Sequence, residues 1–217
     1  MTIGLLLTVL FPFIFADIMA TALLKLRLSP TAAFLIVVGI FVGGLVNIPL
    51  KRIVHEELGA THPLSAFGLW ALFPRWQRAR RETIVAVNVG GCLIPMGLVV
   101  WELVGLVGES GQTWIALATA VILNVVVCYV VARPEPRIGI LMPGFVPPLV
   151  ALLAAVSLAP DHAVPVAFIA GVLGPVVGAD LLHLREIQRS HVGMLSIGGA
   201  GTFDGIVLSG ILAAYLA

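Results

Sequence analysis

Two aspartates in the last third of the chain, Asp180 and Asp204, are the residues best suited to chemistry. Each lies in an apolar stretch, "GADLLHL" or "SIGGAGTFDGI", and ionisable side chains in such surroundings are costly and usually mark function. If the two carboxyl groups face each other, they cannot both ionise and must share one proton. The ionised partner can then take a proton from water while the protonated partner polarises a carbonyl group. This pair therefore predicts peptide hydrolysis without a metal or a covalent intermediate.

The composition of the chain places these aspartates in a membrane protein. Of its 217 residues, 60% are hydrophobic and 11% are charged, whereas soluble domains carry roughly 25% charged residues. The net charge of +1 provides no field that would attract nucleic acid, which we therefore do not expect as a partner. We expect an all-α, polytopic transmembrane helix bundle, with residues 1–217 forming a single integral membrane domain in the lipid bilayer.

Seven membrane-spanning helices are predicted from apolar runs of about 20 residues, the length that crosses a bilayer. Their predicted bounds are 3–23, 30–50, 83–106, 113–132, 140–159, 163–184 and 195–217. Two of these spans are interrupted, the fifth by prolines near its start and the last by Gly198, Gly199 and Gly201. We therefore expect broken helices near the cytoplasmic side.

Lys and Arg residues predict the orientation, because cytoplasmic connections carry the excess of positive charge. Three connections on one side hold most of them, namely Lys51, Arg52, Arg75, Arg78, Arg80, Arg81, Arg133, Arg137, Arg185 and Arg189. We expect this side to be cytoplasmic, with the N-terminus inside, in a prokaryotic inner (plasma) membrane; Lys25 and Arg27 are exceptions. Within residues 51–82, the stretch with Trp70 and Trp76 suits either a helix in the membrane interface or a solvated basic loop.

Polar groups and exposed backbone from five segments are predicted to meet on the cytoplasmic side. Asn47 and Asn88 each lie beside a glycine pair, in "GGLVNIP" and "VNVGGCLIP", and small residues let helix backbones approach closely. The prolines at 147–148 remove N–H donors and free carbonyl groups of the preceding turn. The candidate catalytic residues are Asp180 and Asp204. The candidate substrate-binding residues are the polar side chains, proline and glycine-rich backbone around them, namely Asn47, Asn88, Pro147, Gly199, Gly201 and Thr202.

Both aspartates also have purely structural interpretations. Asp180 can reach the cytoplasmic interface and pair with Arg185 or Arg189. Asp204 can cap a short final helix over residues 203–217. Such a helix begins below the membrane surface, where backbone that is not helical must be buried in protein or line a wet cavity. Either interpretation of Asp204 therefore predicts a polar cavity beside it.

Nearby histidines raise the alternative of a divalent metal site. His183 follows Asp180 by three positions, which places both on one helical face, and His191 follows shortly after. The sequence contains no His-Glu-x-x-His pattern, and "HEELGATH" at 55–62 has the wrong spacing. An interfacial loop histidine is the ordinary interpretation of His183, and we expect neither a metal nor a cofactor.

Paired aspartates on neighbouring spans resemble the intramembrane aspartyl proteases, such as presenilin, signal peptide peptidase and prepilin peptidase. Those enzymes carry Gly-x-Gly-Asp at one aspartate, whereas this chain has Gly-Thr-Phe-Asp at 201–204 and Gly-Ala-Asp at 178–180. The Pro-Ala-Leu element of presenilins has its nearest counterpart in Pro-Pro-Leu at 147–149, which precedes the aspartates. This resemblance covers the last third of the chain and implies proteolysis within the membrane.

A second resemblance covers almost the whole chain. The stretches "NIPL" at 47–50, "GILMPGFVPPL" at 139–149, "GADLLHL" and "SIGGAGTFDGI" resemble a prokaryotic family of membrane proteins with no assigned function. This resemblance implies a fold with several spans and leaves the chemistry open.

Two functional hypotheses follow, with a structural or assembly role as a third. The first is an intramembrane aspartyl-protease-like hydrolase, whose dyad of Asp180 and Asp204 cleaves a membrane-anchored peptide. The second is a proton- or cation-coupled transporter or channel for a small solute, because broken helices and embedded carboxylates also build ion sites. A chain of 217 residues is small for a transporter unless it forms a homo-oligomer.

Overall fold

Helices form most of the structure, a computed structural model that describes residues 2–57, 79–135, 139–190 and 193–217. The α-helices are α1 Thr2–Lys25, α2 Pro30–Gly43, α3 Ile94–Gly105, α4 Gly111–Val131, α5 Val146–Leu158, α6 Ala163–Leu173, α7 Leu182–Ser190 and α8 Gly205–Leu216. Wider π-helical turns precede α3 (Val89–Leu93) and join α6 to α7 (Gly174–Leu181), and 3-10 turns precede α6 (Pro160–His162) and α8 (Gly201–Phe203). The predicted predominance of helix is confirmed.

Two small sheets accompany the helices. Strands β1 (Asn47–Glu57), β2 (Ala79–Asn88) and β5 (Gly193–Ile197) form one sheet in the order β1-β2-β5, and β3 (Arg133–Glu135) pairs with β4 (Gly139–Leu141). The pairs β1–β2 and β3–β4 are antiparallel, whereas β5 runs parallel to β2. The expectation of an all-α fold is therefore wrong.

The strands occupy the ends of stretches that we predicted as continuous spans. The span predicted at 30–50 is helical only to Gly43, and the one at 83–106 begins as a strand. The helices predicted to start at 140 and 195 start at Val146 and Gly205. A short apolar run does not by itself distinguish a buried strand from a helix.

All five strands belong to the same end of the helix bundle, which we call the strand end. They follow the last turns of α2, α4 and α7 and precede the first turns of α3, α5 and α8. The tight connections at 26–29, 106–110 and 159–162 lie at the other end. The strand end carries exposed Lys51, Arg52, Arg133 and Arg185, and the stretch with Trp70 and Trp76 lies outside the described residues.

Two described helices are long and apolar enough to cross a membrane: α4, with 21 residues, and the continuous Pro160–Glu186, with 27. Four further apolar helices of this part of the chain, Pro30–Gly43, Val89–Gly105, Val146–Leu158 and Gly205–Leu216, are shorter. At 1.5 Å per residue they extend about 18–26 Å, less than the hydrocarbon thickness of about 30 Å. Their chains continue at the strand end as strands or turns instead of further helix.

An ion pair between a buried carboxyl group and an exposed arginine lies at the end opposite the strands. Arg27 Nη2 donates a hydrogen bond of 3.0 Å to Glu102 Oε2, and the Glu102 side chain is 0% exposed. A buried carboxylate needs such a partner because desolvation of an unpaired charge is very costly. This contact explains both the unexpected arginine in the first connection and the acidic residue in α3, whereas Asp17 is exposed on α1.

Glycine residues allow the backbone at the end of α2 to pack directly against the backbone just before α3. A Cβ atom at Gly90 would collide with the Ile40 carbonyl oxygen and the Gly44 backbone nitrogen. A Cβ atom at Gly43 would lie 2.9 Å from the Gly90 nitrogen. The two glycine pairs noted in the sequence therefore contact each other directly.

We expect Gly90→Ala to lower the free energy of unfolding by roughly 3 kcal/mol, because rigid backbone atoms must move to admit the methyl group. Gly97→Ala in α3 is the matched control, since a Cβ atom there meets nothing within 4 Å. The control is expected to raise stability by about 0.5–1 kcal/mol, the usual gain for Ala over Gly in a helix. Thermal unfolding of the purified variants measures both effects, and equal midpoints would contradict the proposed contact.

Candidate functional site

A polar cavity of about 380 Å³ opens at the strand end, and both candidate aspartates line it. One wall consists of consecutive residues, 194–200, from β5 and the turn that follows it. The remaining lining residues come from four other segments: Asn47, Gly139, Ile140, Asp180, Leu184 and Asp204. The fold thus brings together residues that are far apart in sequence.

Asp180 lies in the π-helical segment Gly174–Leu181 between α6 and α7. This segment packs tightly on α4, because a Cβ atom at Gly178 would collide with the Val125 carbonyl oxygen. Buried Asn124 of α4 donates a hydrogen bond of 2.8 Å to the Ala170 carbonyl, which lies just before the segment. A π-helical turn rotates all later side chains relative to a regular helix, and such turns are frequent at functional sites.

Asp204 caps the first turn of α8. Its Oδ1 accepts a hydrogen bond of 3.0 Å from the Ile206 backbone N–H, and its Oδ2 accepts one of 3.2 Å from the Ala200 N–H. The capping interpretation and the cavity prediction are thus compatible, because the half-buried carboxyl group that caps the helix also lines the cavity.

The glycine turn after β5 links the two carboxyl groups. The Gly198 backbone amide faces Asp180, while the Ala200 amide of the same turn binds Asp204. The two aspartates are close enough for their charges to interact. Gly198 has a φ of 71°, and a Cβ atom on it would lie 2.6 Å from the Gly91 carbonyl carbon. Only glycine suits this position, since it needs both a left-handed backbone and close backbone contact.

A hydrogen-bonded network of three side chains forms the wall beside Asn47. The Asn47 Oδ1 accepts hydrogen bonds from Ser196 Oγ at 2.5 Å and from Asn88 Nδ2 at 3.1 Å. Asn88 is fully buried and does not line the cavity. It also donates to the Gly44 carbonyl at 2.8 Å and accepts from the Gly91 N–H at 2.7 Å. The network therefore connects the cavity wall to the glycine contacts between α2 and α3.

The other predicted substrate-binding residues are divided between the cavity and its supports. Gly199 lines the cavity, whereas Gly201 packs against Gly44, with 3.0 Å between the position of its Cβ and the Gly44 Cα. Thr202 is buried outside the lining. Pro147 is buried in the first turn of α5, where its missing N–H leaves no helical hydrogen bond unmade. It starts the helix rather than breaking one.

Ser196 and the β4 residues Gly139 and Ile140 are cavity residues that the sequence reasoning missed. Ser196 carried a detectable signal, since it is a polar residue in the apolar run "MLSIGG". The β4 residues belong to the segment 137–149, which was expected on this side, but nothing in the sequence singled them out, and the pairing of β3 with β4 brings them to the cavity wall.

His183 is buried and makes two contacts within the protein. Its Nδ1 lies 3.0 Å from the Ala179 carbonyl oxygen, and its ring stacks on Tyr129 with 4.8 Å between centroids. The described residues contain no group of three or more His, Cys, Asp or Glu side chains that could hold a metal ion. His191 lies outside those residues.

We expect Asp204→Ala to lower the free energy of unfolding by about 1 kcal/mol, the usual loss when a helix cap is removed. Asp204→Asn is expected to unfold close to the unmodified protein, because asparagine caps helices about as well as aspartate. Thermal unfolding of the purified proteins measures both, with Asp17→Ala as a control that removes an exposed carboxylate elsewhere. If the alanine variant is as stable as the asparagine variant, Asp204 does not stabilise α8.

Comparisons with known proteins identify a family but not an activity. No curated protein and no solved structure matches the chain. The model of a family described as "Protein of unknown function (DUF1614)" matches residues 41–216, which include every residue of the cavity wall. The predicted membership of an uncharacterised family is confirmed. Because the match covers most of its length, this chain belongs to the DUF1614 family.

Proposed function

We propose that this protein is an intramembrane hydrolase that cleaves peptide bonds in the strand-end cavity with Asp180 and Asp204. The observation that carries the proposal is that both carboxyl groups line one polar cavity, whose wall is seven consecutive residues of β5 and its turn. A dyad for water activation and a backbone edge for the substrate are thus adjacent.

The outer surface of the helices supports a membrane location. Large apolar side chains are turned outward, including Phe34 at 65%, Ile115 at 70%, Val130 at 72% and Leu153 at 64% exposure. A surface of this kind suits lipid tails and not water. The exposed basic residues of the strand end favour its location on the cytoplasmic side. We infer a prokaryotic plasma membrane, with the N-terminus and the cavity facing the cytoplasm.

The short helices explain how such a cavity would lie below the membrane surface. At the strand end α2 ends and α5 and α8 begin, and each of these short helices is joined there to extended backbone or a turn. Backbone that is not helical at that depth must be paired or must line a wet cavity. The sheet and the cavity meet these two conditions, so water and two carboxyl groups can coexist within the bilayer.

The proposed reaction consumes one water molecule per peptide bond. The ionised aspartate takes a proton from water, and the water oxygen forms a bond to the carbonyl carbon of the substrate. The protonated aspartate gives its proton to the carbonyl oxygen, which yields a tetrahedral diol. The C–N bond then breaks, a proton moves to the leaving nitrogen, and a carboxylic acid and an amine are released.

The surroundings of the two carboxyl groups favour different roles for them. Asp204 accepts two backbone hydrogen bonds and lies at the N-terminus of α8, and both features favour negative charge. Asp180 faces one amide, that of Gly198. When the pair shares a single proton, we assign it to Asp180, so that Asp204 is the base toward water.

The edge of β5 offers a way to hold the substrate. Within the described residues, β5 pairs with β2 on one side, and its residues 194–197 line the cavity. An extended peptide can add to such an edge through backbone hydrogen bonds. A membrane-anchored peptide that unwinds at the cavity would be held in this way.

The packing beyond the cavity favours a hydrolase over a transporter. Inside the bundle lies a small void lined only by apolar side chains, namely Ile40, Pro95, Leu98, Phe168, Val172, Val207 and Ile211. In addition, Gly171 of α6 and Gly210 of α8 are in close contact, with 3.0 Å between the position of a Cβ at Gly171 and the Gly210 Cα. A solute path through the described part of the bundle would have to cross this apolar core.

We expect Asp180→Asn and Asp204→Asn each to lower the rate of cleavage of a single-span reporter peptide by at least about 100-fold, the usual contribution of a general acid or base. Purified protein and reporter would be placed together in liposomes, and the fragments would be measured by mass spectrometry. Asp17→Asn, exposed on α1, is the matched control and is expected to retain full activity.

Normal cleavage by either asparagine variant would refute the dyad. Substrate-dependent acidification of the same liposomes, without fragments, would support the transporter instead. Since Asp204→Asn retains a helix cap, its loss of cleavage would not be attributable to unfolding.

A further inference from the structure

We infer that the Asn47 carboxamide donates a hydrogen bond to the carbonyl oxygen of the bound substrate, and that Asn88 and Ser196 are positioning residues that orient it. This inference rests on the proposed hydrolase function and names a third side chain of the same site. Asn47 lines the cavity together with both aspartates.

The hydrogen bonds of Asn47 determine which end of its amide is available. Its Oδ1 accepts from Ser196 Oγ and from Asn88 Nδ2. A rotated amide would place the Asn47 nitrogen against the Asn88 nitrogen, and two NH2 groups cannot bond to each other through their hydrogens. The oxygen is therefore held inside the network, and no described residue accepts a hydrogen bond from Nδ2.

The network is rigid because its buried residue, Asn88, makes three hydrogen bonds. Asn88 is 0% exposed and bonds the Gly44 carbonyl, the Gly91 N–H and the Asn47 side chain. Asn47 and Asn88 are also directly opposed in the β1–β2 pair. A donor fixed in this way costs no reorganisation when charge develops on the substrate.

The donor completes the chemistry of the dyad. During attack by water, negative charge grows on the carbonyl oxygen, which has two lone pairs. One lone pair takes the proton from Asp180, and the other accepts the hydrogen bond from Asn47 Nδ2. Removing one such donor typically lowers kcat by about 100- to 1,000-fold. The effect falls on kcat more than on KM, because the bond strengthens in the transition state.

The test is steady-state cleavage of the single-span reporter in liposomes by Asn47→Ala and Ser196→Ala. We expect Asn47→Ala to lower kcat by about 100-fold with little change in KM. Ser196→Ala leaves the donor in place but removes one of the two hydrogen bonds that hold Asn47 Oδ1, so the amide is positioned less firmly and we expect a decrease in kcat of about 10-fold. Gln112→Ala is the matched control, because it removes an exposed amide at the opposite end of the bundle.

The outcomes separate this inference from the proposed function. If the aspartate variants are inactive while Asn47→Ala retains a kcat within twofold of the unmodified protein, the inference is overturned and the dyad stands. If Asn47→Ala does not fold, the kcat of Ser196→Ala is the test. A kcat of Ser196→Ala equal to that of the unmodified protein then overturns the inference. If the unmodified protein cleaves nothing, the hydrolase proposal and this inference fail together.

Discussion

Close contact between glycine backbones is the constraint on which the strand end depends. Gly43, which ends α2, and the following Gly44 contact Gly90 in the turn before α3, and a Cβ atom at Gly91 would collide with the Gly198 carbonyl oxygen. These contacts hold the end of α2, the turn before α3 and the turn after β5 closer together than residues with side chains at these positions would allow. Asn47 comes shortly after Gly44, Asn88 comes shortly before Gly90, and the turn that contains Gly198 precedes Asp204. The glycine contacts therefore fix the relative positions of the segments that form the cavity.

Hydrogen-bond satisfaction explains why the helices are short at this end. The carbonyl or N–H groups at the end of a helix have no partner within the helix, and in apolar surroundings they must form hydrogen bonds with other groups of the protein. Here β1, β2 and β5 pair with one another, Asn88 binds the Gly44 carbonyl, and Asp204 binds two free N–H groups. The polar groups that a functional site needs are the same groups that complete the backbone hydrogen bonding.

The two ends of the bundle use charge differently. At the far end, Arg27 and Glu102 neutralise each other, and Lys25 donates to the Tyr215 carbonyl at 2.6 Å. At the strand end, two carboxyl groups face one cavity, and backbone amides approach them. The first arrangement gives a buried carboxyl group a charged partner, whereas the second leaves carboxyl groups accessible to a ligand. This difference is why we place the chemistry at the strand end.

The sequence alone determined the predominance of helix, because long apolar runs have few other stable forms. It also identified Asp180, Asn47 and Asp204 as candidate site residues, because polar residues are rare in such runs. Tertiary structure decided where helices give way to strands, since apolar runs at 83–87 and 193–197 acquire their conformation from β2–β5 pairing. It also decided that Pro147 begins α5, and that Ser196 and Gly139 reach the cavity. Such roles depend on partners distant in sequence, and no local pattern encodes them.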